Sequence, residues 1–323
     1  MHFLEEWKLP LKVERGNRVF PMSEHASDVT KTLERACRAA GVTIQLNERV
    51  ERLMVCGGAV CGVKTNVREY ECEVAIVATG GISDPATGST GDGYRFAQEA
   101  GHTLTECVPS LVGLNLKCNT VQQGISLKNV VLAAKRNGKV ISSEMGELLF
   151  THFGISGPLV LTLSAKINRL PMKEISLHLD LKPALDEKKL DARLLRDFEE
   201  RKNEDLKNVM RGLLPGGLVT AVLQAAGVNA SKKANSVTRE ERMSLVKTLK
   251  DFRLIPESLR GFSEAVITSG GVDLKEVDPK TMESKLVKGL RFCGEVLDVD
   301  AYTGGFNLQI AFSTGYLAGN IKN

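Results

Sequence analysis

Several things are missing from this sequence, and each absence narrows the reading. Its longest apolar run, "GPLVLTL", is seven residues, whereas a bilayer-spanning helix needs roughly 20. The first ten residues, "MHFLEEWKLP", lack the basic-then-apolar order of an export signal. No membrane partner is expected, and the chain is placed in the cytoplasm. The seven cysteines (Cys37, Cys56, Cys61, Cys72, Cys107, Cys118 and Cys293) contain no C-x-x-C pair, and their number is odd. They read as small buried thiols in a reducing compartment, with no disulfide framework or metal site. The five histidines (His2, His25, His102, His152 and His178) show no H-x-x-x-H spacing, so no metal is expected. His25 and His102 lie beside glycine- and serine-rich turns, as satisfied histidines or residues facing a substrate. A large charge excess is also missing. The net charge is +4, too mild to call for a nucleic-acid partner. The most basic stretch, 231–253, interleaves Glu240, Glu241 and Asp251 and reads as a solvated helix face. There is no internal repeat and no low-complexity segment.

What remains is an ordinary globular composition, 42% apolar and 25% charged over 323 residues, enough for two or three domains. Val29, Leu33, Ala36, Cys37 and Ala40 fall on one stripe of a helix over 27–40, with Gly41 as its stop. "VTIQL" (42–46) alternates as a strand should, and 51–64 reads as a hairpin about Gly57-Gly58. "CEVAIVATGG" (72–81) is nearly continuously apolar, as suits a buried strand ending in a glycine turn. A short helix follows "STGDG" and stops at Gly101. Residues 105–182 alternate in short segments, as in a small β-rich domain with one helix over 156–167 that opens with Ser156 and Pro158. Residues 183–262 switch to Lys-, Arg-, Glu- and Leu-rich helical patterning with no clear strand. Buried-strand chemistry then returns. The expected architecture is an α/β domain built from 1–104 and 263–323, interrupted by a β-rich insert (105–182) and a helical insert (183–262).

Three glycine-rich stretches each follow a strand-like segment: "ATGGISDPATGSTGDG", "TSGGV", and "GE" leading to "YTGGFNLQ". In open α/β folds ligands sit at the carboxyl ends of the strands. Glycine there lets the backbone approach a flat or anionic group closely. Gly304-Gly305 ahead of "FNLQIAFSTG" puts free N–H groups and a positive helix end at one point. That end suits the carbonyl edge of a reduced flavin, and Glu295 could accept hydrogen bonds from sugar-alcohol hydroxyls.

The succession "RVFPMSEHASDV", "VATGGISDPATGSTGDGYRFAQEAGH", "LLFTHFGISGPLVL", "VITSGGVDLKEVDPKTMESK" and "GLRFCGEVLDVDAYTGGFNLQIAFSTGYLAG" resembles the BaiN-like (YhiN-type) flavoproteins. Members are also labelled NAD(P)/FAD-dependent oxidoreductases or aminoacetone oxidase-family enzymes. The resemblance spans 15–320 and implies a discontinuous FAD domain of the glutathione-reductase type, with β-barrel-like and helical inserts. It also implies roles for particular residues. Val50 would meet the adenine side through its backbone, and Ala78, Thr79 and Gly80 would pass near the pyrophosphate. Gly294 and Glu295 would meet the ribityl and phosphate region, and Gly305, Phe306, Asn307 and Leu308 the isoalloxazine, with Gly304 in the same cofactor-binding turn. Family members often carry Tyr where Phe306 stands.

One departure matters. No G-x-G-x-x-G occurs in the sequence, although the family opens with one on the FAD pyrophosphate. The resemblance therefore implies an N-terminally truncated member, completed by a missing segment or a second chain. The implied activity is FAD-dependent, with NAD(P)H as donor because no iron–sulfur or C-x-x-C motif is present. The implied reactions are reduction of a small or steroid-like enone or ketone, or amine oxidation. The alternative is a non-enzymatic or partner-dependent fragment. A hydrolase reading of "FGISGP", with Ser156 as nucleophile and His152 as base, fails G-x-S-x-G at Pro158. No residue stands out as the catalytic acid or base.

Overall fold

The computed structural model describes residues 1–14, 17–117 and 121–320; Cys118 lies outside them. In chain order, α1 (His2–Glu6), an antiparallel pair β1 (Leu11–Glu14) and β2 (Arg18–Pro21), and α2 (Ala26–Ala39) come first. They lead to a three-stranded antiparallel sheet of β3 (Val50–Cys56), β4 (Ala59–Thr65) and β5 (Glu69–Glu71). Next come β6 (Ala75–Val77), α3 (Asp92–Glu99), β7 (Leu104–Ser110), β8 (Leu114–Leu116), β9 (Ser126–Arg136) and β10 (Lys139–Phe150). β11 (Gly154–Ser156), α4 (Pro158–Ile167), β12 (Ile175–Asp180), α5 (Glu187–Glu200), α6 (Leu206–Met210), α7 (Gly216–Ala225) and α8 (Arg239–Lys250) follow. The chain ends with β13 (Phe252–Leu254), β14 (Pro256–Leu259), β15 (Ile267–Val272), β16 (Leu290–Phe292) and α9 (Phe306–Gly319).

These elements divide into two units. One comprises Met1–Ile82, Ser89–Cys107 and Gly270–Asn323; the other comprises Ser83–Gly88 and Val108–Ser269. The second is a seven-stranded sheet, ordered β13-β12-β9-β10-β11-β8-β14, with α4–α8. Its local signals are legible. Asn137 and Gly138 both take positive φ between β9 and β10, the requirement of a tight hairpin turn. Pro158 opens α4 directly after Gly157, where its missing N–H costs nothing. Asp186 caps α5 through the Lys189 N–H at 2.8 Å. Thr238 and Glu241 form a capping box at the start of α8. Sheet and helices share one core, in which Leu132, Phe150, Leu177, Leu190, Leu194 and Leu245 are each at most 1% exposed. At about 1.5–3 kcal/mol per fully buried large side chain, that shared core dominates the unit's stability.

In the first unit, β6 and β16 run parallel in the register Ala75–Leu290, Ile76–Arg291, Val77–Phe292. Val77, Tyr94, Ala97, Phe292, Val296 and Leu297 pack together around them.

Four expectations are corrected. "VTIQL" forms no strand: Val42 and Leu46 are 51% and 75% exposed, so the alternation has no neighbouring strand to pair with. The 183–262 stretch is not purely helical, because β13 and β14 join the sheet through β12 and β8. "TSGGV" is not a turn. Gly270 and Gly271 lie inside β15, where an added Cβ would stand 2.3 Å from the Glu106 carbonyl oxygen and 2.5 Å from that of Val296. Those glycines serve close backbone packing. Finally, Cys293 is the buried thiol of the described set; Cys37 and Cys56 are exposed, and Cys61, Cys72 and Cys107 are half-buried.

Candidate functional site

The parallel register of β6 and β16 sets the site. Both strands end at the same level, and the Cys293 N–H donates to the Val77 carbonyl at 3.1 Å. The turn Ala78–Thr79–Gly80 and the turn Gly294–Glu295 therefore leave side by side, at the carboxyl ends of neighbouring strands. Gly80 has φ +72 and Gly294 φ +76, in the left-handed region that favours glycine.

Thr79 is the chemically unusual member. Its hydroxyl is buried and has no hydrogen-bond partner, a state that costs about 1–3 kcal/mol unless something else satisfies it. α3 comes so close to it that a Cβ on Gly93 would stand 2.1 Å from Thr79 Oγ1. From the same helix, the Tyr94 hydroxyl donates to the Glu295 carbonyl at 3.4 Å. α3 thus packs against both turns.

α9 closes the other side and is fixed at three points. Gly304 and Gly305 take φ +125 and +88 and open the helix without a side-chain cap. The Asn307 amide spans the loop before it, accepting from the Ala301 N–H at 2.8 Å and donating to the Ala301 carbonyl at 2.7 Å. Midway, the Gly294 N–H donates to Thr314 Oγ1 at 2.9 Å. At the far end, the buried Arg291 guanidinium donates to the Ala318 carbonyl at 2.7 Å, a cation on helix-terminal oxygen. The N–H groups of Phe306, Asn307 and Leu308 have no acceptor among the described residues. The helix end therefore presents donors and positive potential to whatever lies in front of it.

Of the sequence-derived residues, Ala78, Thr79, Gly80, Gly294 and Glu295 come together, with the start of α9 packed on them. Phe306 and Leu308 are 59% and 66% exposed, and the Asn307 side chain is committed to its own loop. Val50 opens β3 opposite Thr65. It is linked to this group through its neighbour Arg49, whose guanidinium pairs with Asp92 at 2.9 Å at the start of α3. The Arg49 guanidinium beside it holds the Asp92 carboxyl below its ordinary range. Gly93, Tyr94, Thr314 and Arg291 have no signal in the sequence beyond the spacing of "GDGY". Nothing local distinguishes a packing glycine from a turn glycine. Of His25 and His102, the two histidines beside glycine- and serine-rich turns, His102 is buried. Its ring bridges Glu276 Oε2 at 3.0 Å and Ser284 Oγ at 2.7 Å. His25 sits exposed at the start of α2.

Parallel strands with converging carboxyl-end turns, closed by a glycine-led helix, are the parts of a Rossmann-type α/β site. The chain belongs to the HI0933-like protein Rossmann domain family, matched over residues 1–321. It is 30% identical over 308 residues to the 3-dehydro-bile acid delta(4,6)-reductase of Clostridium scindens, covering 94% of this chain and 75% of that protein. It is 34% identical over 300 residues to the ribosomal RNA dihydrouridine synthase of Haemophilus influenzae, covering 91% and 72%. Among solved structures, the FrdA chain of Escherichia coli quinol fumarate reductase aligns with 99% of this chain at 18% identity and a TM-score of 0.45. This chain spans about half of it, 54%. The expected family holds, and with it the oxidoreductase class.

Proposed function

We propose that this chain is the flavin-ring side of a reductase that delivers hydride to a carbon–carbon double bond conjugated with a carbonyl, with FAD resident and NAD(P)H as donor. One observation carries the reading: a buried, unpartnered Thr79 hydroxyl and an uncapped α9 end lie around two glycine turns at the ends of parallel strands. The residues present fit a flat ligand with a carbonyl edge and a hydroxylated chain. The chemistry FAD supplies when bound is hydride transfer between nicotinamide and substrate. The N–H groups of Phe306–Leu308 would hold the carbonyl edge of the ring and stabilise negative charge there. Gly304 and Gly305 would let the ring approach the backbone, and Glu295 would accept from the ribityl hydroxyls. Thr79 would offer its hydroxyl toward the pyrophosphate side.

The named activities of the two relatives share this chemistry, since a dienone and a uracil ring each hold a double bond conjugated with a carbonyl. A small or steroid-like enone is the first reading of the substrate. The second, a uracil carried by ribosomal RNA, is favoured by the name of the Haemophilus protein.

The reading also includes a partner. The sequence has no G-x-G-x-x-G to hold the pyrophosphate, and hydrogen bonds to a charged group are worth about 1.5–3 kcal/mol each. Among the described residues, β6 has a ladder with β16 and none on its other edge. Leu308, Phe312 and Tyr316, at i, i+4 and i+8 of α9, are 45–74% exposed. A further strand and helix carrying the phosphate turn would cover both. The test is an FAD titration of the purified chain, following flavin fluorescence and melting temperature. Weak binding that tightens when a glycine-rich βα segment is supplied is expected. A stoichiometric yellow protein without it would refute partner dependence, and no binding with it would refute the flavin reading.

A further inference from the structure

Charge is divided between the two units. Val108–Ser269 with Ser83–Gly88 holds 25 Lys and Arg against 18 Asp and Glu, whereas the other unit holds 18 against 21. The mild excess of the whole chain hides a basic unit joined to an acidic one, an asymmetry typical of proteins that meet a polyanion.

Within the basic unit, Lys135, Lys247, Lys250 and Arg253 share one groove. β12 buries Ile175, Leu177 and Leu179 and turns Ser176, His178 and Asp180 to the opposite face. The ladder sets Ser176 opposite Lys135, and His178 between Ala133 and Arg253. The C-terminal half of α8 adds Lys247 and Lys250, and together they line a groove of about 740 Å³. Two of its three carboxylates are engaged: Asp180 pairs with Lys250 at 2.6 Å, and Asp251 takes His178 Nδ1 at 2.6 Å. The third, Glu187, lies in the first turn of α5, where the helix end offsets its charge. Lys135 and Lys247 have no carboxylate within 4 Å among the described residues, and Arg253 reaches Asp251 only at 3.8 Å. The floor is small (Val131, Ala133), and the ring that lines the groove, His178, is held by Asp251 at 2.6 Å and Ser176 at 2.9 Å.

We propose that this sheet face is a docking surface for RNA, gripping the phosphate backbone through Lys135, Lys247 and Arg253. The choice of RNA rests on the second substrate reading above; the surface rests on this unit alone. A floor of methyl groups lets a backbone lie close, and the one imidazole in the groove is already tied at both ring nitrogens, so the grip falls on phosphates. Contacts of this kind fix register and orientation and leave sequence to the reacting site.

The test is fluorescence anisotropy of the full chain with a fluorescein-labelled single-stranded RNA of 30 nucleotides, across a potassium chloride series. Lys135→Glu/Lys247→Glu/Arg253→Glu is compared with Lys31→Glu/Lys275→Glu/Lys280→Glu, which makes the same change in net charge on the other unit. The groove variant should lose about tenfold or more in affinity near 0.1 M salt, and its log–log salt slope should fall by about 2, at ~0.7 per phosphate contact. The control should stay within about twofold. Lys135→Gln/Lys247→Gln/Arg253→Gln gives the same reading if the reversal variant does not fold, as judged by melting. Equal losses in groove and control variants would overturn the proposal, as would no loss in either. Preference of the wild type for phosphatidylserine vesicles over RNA would also overturn it. FAD titration of the same variants separates the two readings, because this surface can fail with flavin binding intact, and flavin binding can fail with RNA binding intact.

Discussion

The closest approach in the candidate site gives the sharpest prediction. Gly93→Ala places a methyl 2.1 Å from Thr79 Oγ1 and 3.0 Å from Val77 Cγ1 and Val296 Cγ2. Alanine should gain about 0.5–1 kcal/mol over glycine in a helix. Overpacking of a tight core costs about 1–3 kcal/mol, and 2.1 Å is far inside van der Waals contact, so the clash should win by about 1–2 kcal/mol. Thr79→Ala alone removes a buried hydroxyl with no partner. Without ligand it should be neutral or stabilising by up to about 1 kcal/mol, while weakening FAD binding. In the double variant the 2.1 Å contact is gone and the two valine contacts remain. The two changes should therefore couple by about 1 kcal/mol or more, against about 0.3–0.5 for independent sites. Urea unfolding of the four proteins, followed by far-UV circular dichroism, measures the cycle. Additivity within that error would mean that Thr79 and α3 are not in contact and that the Thr79 hydroxyl is not confined beside Gly93.

Other outcomes follow from the same geometry. Asn307→Ala removes both clamps on Ala301 and should cost about 1–3 kcal/mol; calorimetry should show the loss, and any FAD binding should weaken. Burial holds the His102 imidazole below its ordinary value of 6.5, with Glu276 opposing, and the Thr103 N–H holds Glu276 below its ordinary 4.5. Both groups bind protons more readily in the unfolded chain, so both contributions are intact at pH 8. The histidine part is lost as pH falls through 6.5 and the carboxylate part below 4.5. Urea midpoints between pH 8 and 5 should decline, and His102→Gln should flatten that decline. Thr238→Ala breaks the capping box of α8 and should lower stability by about 1 kcal/mol, read as a fall in melting temperature.

Local chemistry was legible where one residue's conformation decides the outcome. Gly41 after α2, Gly57-Gly58 between β3 and β4, and Pro158 opening α4 all act where the sequence places them. Both halves of the site turn pair were readable as glycine-ended strands. Their adjacency was not, because it depends on Val77 meeting Cys293 across more than two hundred intervening residues. The pattern failed where pairing decides. Residues 42–46 alternate without a neighbour, whereas Phe252–Leu254 form a strand because β12 has an edge to offer. "TSGGV" misled for a related reason: glycine needed for contact and glycine needed for a turn look alike until the opposing backbone is known. Charge behaved likewise, since a net value for the chain does not reveal how it divides between units.

The pairing of β6 with β16 also fixes an order of events at the ribosome. Val108–Ser269 is contiguous and can complete its sheet and core as soon as it emerges. β6 must wait for a partner about 215 residues later in synthesis, ~10–40 s at 5–20 residues per second. During that interval β6 lacks the parallel ladder it makes with β16. The last ladder of this unit to close is therefore the one whose strand leads into Ala78–Thr79–Gly80.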